Sequence, residues 1–262
     1  MLTRILAAPL AVFIMACSLY LWREIYRDSD WALACLLPLG VLLLVAQIAI
    51  LREDYRARML LTLRPGSRLT RILTGRLSSL AGAVGFIALS LPVMAWQALN
   101  LTLPETGLVI AVCVISGWVF LLIENRLARS FNHPFGRAYS MRLSSWLCAA
   151  LACPVIVWLS WKFTTYPDEF LRAGFGEAMQ LGMDALPERR GVLAEIMALP
   201  YALQGAKIWF IVQHREHGWL TLWPSLDAAL FGFVATRASI LLTDLTEHLL
   251  LAHPPASTGE TA

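Results

Sequence analysis

Seven apolar stretches, each close to the length of a bilayer crossing, follow one another along this chain with little between them. They lie at Ile5–Trp22, Trp31–Leu51, Leu77–Gln97, Gly107–Ile123, Leu143–Trp161, Gly191–Gln213 and Leu226–Thr243. A spanning helix takes about 20 residues, so these segments use most of a 262-residue chain and leave only short connections. With 58% hydrophobic and 15% charged residues, a soluble globular domain is excluded. The expected fold is all-α: a polytopic bundle of six or seven transmembrane helices. It forms a single membrane domain over residues 1–251, followed by a disordered Pro/Ser/Thr-rich tail over 252–262.

The arginines between the segments assign sides. Arg52–Arg76 carries seven arginines against Glu53 and Asp54, a net +5, and Glu124–Arg142 carries a net +3. Arg23–Asp30 and Asn100–Thr106 each net −1, and Lys162–Glu195 nets −2. Short Lys/Arg-rich loops stay in the cytoplasm, which predicts a multi-pass protein of the cell inner membrane with a cytoplasmic N-terminus. Seven spans place the tail outside. Six, with the last segment lying on the cytoplasmic surface, place it inside, and the reading adopted is seven. The first segment is read as an uncleaved span, because its apolar run continues past Cys17 through Trp22.

Two connections have further character. The helix of the second span is expected to continue through Arg52–Leu63 and to break at Arg64-Pro65-Gly66-Ser67. A basic hairpin follows, made of Arg52, Arg56, Arg58, Arg64, Arg68, Arg71 and Arg76, suited to anionic headgroups at the cytoplasmic face or to an acidic docking partner. After the fifth span, Thr165 and Asp168 resemble a capping box. Apolar residues then recur at Leu171, Phe175, Met179, Met183 and Leu186, which predicts one extracytoplasmic amphipathic helix over about 166–186. Trp22, Trp31, Trp96, Trp161 and Trp219 near span ends read as interfacial anchors.

Ionisable groups within spans are the default functional candidates, since a charge in hydrocarbon is costly. Gln204 and Lys207 stand on one face of the sixth segment; Asp227, Arg237 and Asp244 stand on the seventh. Together they form a candidate intramembrane polar stripe, acting as inter-helix fasteners or as a solute path. Lys207 and Asp227 are expected to pair. The five cysteines all fall in apolar segments without a C-x-x-C, and read as small buried residues. His214 and His217 are spaced for a metal but sit at a span end, and the sequence has no H-E-x-x-H, Walker A or G-x-S-x-G motif. No catalytic residue, cofactor or metal is assigned, and no nucleic-acid partner is expected. These features point to a non-catalytic membrane subunit of a larger assembly of the secretion, conjugation or envelope-building type, with other membrane subunits as partners. Two alternatives stay open: a small ion-coupled transporter or channel, and a membrane enzyme acting on a lipid-linked substrate.

Overall fold

The structure is a computed structural model describing residues 2–62, 76–127, 130, 135–163, 167–187, 191–214 and 226–252. Among these residues every regular element is a helix: α1 (Leu2–Tyr26), α2 (Ala32–Thr62), α3 (Arg76–Asn100), α4 (Leu103–Leu127), α5 (Phe135–Phe163), α6 (Glu169–Arg172), α7 (Phe175–Asp184), α8 (Val192–Gln213) and α9 (Leu226–Ala252). Six of them, α1 to α5 and α9, are long and apolar enough to cross a membrane. The chain is an all-α, multi-pass membrane protein. Helix suits this setting because it satisfies every backbone polar group within the segment.

The six long helices alternate in direction, and side chains mark the two ends. At one end Trp22 Nε1 donates to Ala95 O at 2.9 Å and Arg23 Nη1 to Leu101 O at 3.0 Å, tying α1 to the end of α3. Tyr26, Ala32, Leu36 and Ala98 complete an apolar cluster there. At the other end Arg4 bonds Glu247, and Arg137 bonds both Glu53 and Asp244. These contacts gather the starts of α1 and α5, the distal part of α2 and the C-terminal part of α9. The turn into α4 is closed by Thr102, whose N–H and hydroxyl both donate to Glu105 Oε2, at 2.9 and 2.8 Å.

α9 is the axis of the bundle. It packs on α1, α2, α3, α4 and α5, and 72% of its apolar window is buried, against 22–39% for the other five. Small residues allow this. A Cβ on Gly117 would come within 2.6 Å of Thr243 Oγ1 and 2.7 Å of Ala8 Cβ, so the small residues Ala8 and Thr243 of α1 and α9 press directly on the α4 backbone. Ser239 Oγ donates to Cys113 O at 2.7 Å, while Thr236, Thr243 and Thr246 return their hydroxyls to carbonyls of their own helix.

α8, the sixth apolar stretch, is not among the six candidate spans. Its first half packs on the Trp22 cluster through Leu193, Met197 and Tyr201, with Tyr201 Oη donating to Asn100 Oδ1 at 2.9 Å. Its second half reaches Asp227, the second residue of α9, through Lys207. Both halves are thus held at one end of the bundle, opposite Arg4. The C-terminal part of α9 lies beside Arg4, whereas the seven-span reading put the tail and the N-terminus at opposite ends. The six-span alternative also differs in detail, since the stretch outside the candidate spans is α8 and not the last segment.

The single amphipathic helix expected over 166–186 is two, α6 and α7, parted at Ala173–Gly174. Glu177 Oε2 accepts the Gly174 N–H at 2.9 Å and starts the second. The expected apolar stripe supplies only part of the packed face: Phe175 meets Trp209 of α8 edge-on and Leu186 packs on the Trp22 cluster, but Leu171 and Met183 are exposed, and the residues buried against α8 are Ala178 and Gly182. Close backbone approach at Gly182 and Gly205 wins over burial of the larger side chains. Trp22 is likewise a core residue, 1% exposed, rather than an interfacial anchor.

Candidate functional site

The five candidate polar residues do not form one stripe. Gln204, Lys207 and Asp227 meet at the end opposite Arg4, while Arg237 and Asp244 lie further along α9 toward the Arg4 end. Lys207 Nζ stands 2.8 and 2.7 Å from the two Asp227 oxygens, and Asp227 Oδ1 also accepts the Ala228 N–H at 2.8 Å. The carboxylate therefore takes an N–H of the first turn of α9 and binds the lysine together, and the positive helix start favours that charge. Beside the pair lies a cavity of about 310 Å3 lined also by Trp96, Leu199, Pro200, Leu203 and Gln204. Trp96 Nε1 and Gln204 Oε1 are buried there with no hydrogen-bond partner. Burial pushes the nearby Tyr201 phenol up from its ordinary pKa of 10, so it stays protonated and able to donate to Asn100.

Near the Arg4 end, five helices contribute charges to one buried node. Arg137 Nε and Nη2 grip Asp244 at 2.8 and 2.6 Å, and Nη1 reaches Glu53 at 3.2 Å. Asp244 is 2% exposed. Arg4 bonds the equally buried Glu247, and Glu124 stands within electrostatic range of Glu247, Asp244, Arg4 and Arg137. Four carboxylates thus face two guanidiniums, and one oxygen of each of Glu53, Glu124 and Glu247 is buried without a hydrogen-bond partner. His248 Nδ1 is 2.9 Å from Asp244 O, on the node's exposed side.

Arg237 lies deeper along α9. Its Nη1 donates to Ser145 Oγ at 2.9 Å and its Nη2 faces Gln47 Oε1 at 3.5 Å. Of the basic hairpin, Arg52 is described, with a buried Nε that has no hydrogen-bond partner. The side chains of Arg56, Arg58 and Arg76, the whole of Arg64, Arg68 and Arg71, and the expected break at 64–67 lie outside the described residues. His214 stacks on Phe210 at 4.3 Å and closes α8; His217 is outside the described residues. Among the described residues no group of three His, Cys, Asp or Glu side chains could hold a metal.

Sequence reasoning did not single out Arg4, Glu53, Glu124, Arg137 or Glu247 as a group. Glu124 and Arg137 read as loop charges, yet α4 runs on to Leu127 and α5 begins at Phe135, which places both on helices. The available signal was Glu247, three residues after Asp244 and therefore on the same face of α9. No protein-family model, curated protein or solved structure matches this chain.

Proposed function

We propose that this protein is a non-catalytic subunit of a larger inner-membrane assembly, of the secretion, conjugation or envelope-building type, with the Arg4 end in the cytoplasm. The arginine-rich connections support that orientation. The observation that carries the reading is the pairing of opposite charges between helices. Arg4 with Glu247, Arg137 with Asp244 and Glu53, and Lys207 with Asp227 each join separate elements. Between Asp227 and Arg237 the buried face of α9 is Ala228, Phe231, Val234, Ala235 and the self-bonded Thr236. Such an arrangement fastens a bundle along α9. Opposite Arg4, α8 leaves Val192, Ile196, Leu199 and Leu203 exposed at helical spacing, an apolar stripe for a neighbouring subunit.

A photo-crosslinking residue at Ile196 tests this in native membranes. The expected result is a covalent adduct to one heterologous membrane protein that also co-purifies in fixed ratio with the unmodified chain. Adducts to lipid alone, with a monomer in mild detergent, would sink the reading. The cavity with the unpartnered Trp96 and Gln204 atoms favours a second reading, in which a small solute binds beside Lys207. On that reading Gln204→Leu abolishes uptake in vesicles without changing the crosslink.

A further inference from the structure

A fissure of about 260 Å3 opens between α2, α3, α5 and α9. Arg237 stands at its base, Ser145 on its wall, and Asp54 and Arg142 also line it. Among the described residues it holds two guanidiniums against one carboxylate. Arg4, Arg137 and Lys207 each have a carboxylate within 4.0 Å; Arg237 has none among the described residues. Its hydrogen-bond partners are neutral: Ser145, whose own proton goes to Met141 O at 2.7 Å, Met141 O itself and Gln47, while Asp54 acts on it from beyond bonding distance. Arg142 is exposed and makes no hydrogen bond or ion pair among the described residues.

A cation within a span is costly unless an opposite charge or water compensates it, and two guanidiniums offer the planar donor forks that grip phosphate oxygens bidentately. With Asp54 counted, the described lining is net +1, the match for a singly charged phosphodiester rather than a doubly charged phosphomonoester. Its outer wall is apolar. Trp146 is 63% exposed and packs on Phe233 at a centroid distance of 5.9 Å, presenting an indole to the lipid side. A polar base with an apolar flank fits an amphiphile entering sideways from the bilayer.

We propose that this fissure is a specific site for an anionic phospholipid, its phosphodiester held between Arg142 and Arg237 and its acyl chains lying outside along Trp146. The site stands independently of the subunit reading above. The test is native mass spectrometry of the detergent-purified chain with phosphatidylglycerol, or with phosphatidylcholine of the same acyl chains, alongside thermal melting. Phosphatidylglycerol should be retained about tenfold more strongly, and Arg142→Gln should lower that retention about fivefold while leaving phosphatidylcholine unchanged. Arg142→Lys should fall between them, because it keeps charge but loses the fork. Arg142 is exposed, so its variants keep the fold; Arg237→Gln serves as a second variant if it melts as wild type. Equal retention of the two lipids, or retention indifferent to Arg142→Gln, would overturn the site. Inorganic phosphate that raises the melting temperature as far as phosphatidylglycerol and displaces it would also overturn it, by naming a soluble anion as the ligand.

Discussion

Asp244 accepts two hydrogen bonds from Arg137 while almost fully buried, so removal of Arg137 strands a carboxylate already withdrawn from water. Arg137→Ala is expected to cost about 3–5 kcal/mol, read as a lowered melting temperature in detergent. Asp244→Ala added to it should recover part of the loss, and a purely additive double variant would mean that the two do not act as a pair. Lys207 and Asp227 are each about a quarter exposed, so their coupling should be smaller, about 1 kcal/mol in the same cycle. This second pair was legible in the sequence, because each charge stands close to the end of an apolar stretch and the two ends face one connection. Arg137 and Asp244 are 107 residues apart, and no periodicity links them. Only packing brings them together, which is why the charge node was invisible until the helices were assembled.

At the level of elements, the contact between α7 and α8 rests on two glycines. A Cβ on Gly182 would meet the Tyr201 carbonyl and Gly205, and a Cβ on Gly205 would meet the Ala178 carbonyl, in each case closer than real atoms approach. Gly182→Leu should therefore lift α7 from α8, exposing Trp209, whose Nε1 donates to Ala173 O at 3.0 Å. Limited proteolysis is expected to cut the 167–187 region much faster than in wild type; an unchanged cleavage rate would mean that the close approach does not hold the pair. The existence of these helices was readable from hydrophobic spacing, but the packed face was not. Spacing ranks residues by apolarity, and the winning contact here uses the residues with the least side chain. The same limit explains α8. Its apolar length reads as a span, yet Tyr201 and Lys207 anchor it to groups at one end of the bundle.

For the whole molecule, the six long helices, alternating in direction, make the start of α1 and the C-terminal part of α9 neighbours. Single cysteines at Ser130 and at His248, on a background without native cysteines, should therefore be labelled by an impermeant reagent from the same side, and one at Ser29 from the other. Opposite labelling of Ser130 and His248 would restore the seven-span arrangement. That the chain crosses a membrane many times was plain from composition and segment length. Which of the last two apolar stretches crosses was not, because α9 carries Asp227, Arg237, Asp244 and Glu247 and looks the less apolar of the two. Arg237, Asp244 and Glu247 face the interior of the bundle, where groups from earlier helices surround them. The helix that closes the core is thus the last of the six to leave the ribosome. At roughly 5–20 residues per second, α1 waits on the order of tens of seconds for it, with Arg4, Glu53, Glu124 and Arg137 facing a groove that nothing in the nascent chain yet fills. For that interval the newborn protein depends on an insertase, on lipid headgroups or on water to shelter its half-built interior. A ribosome stalled before Leu226 should yield a product that membrane proteases clear quickly.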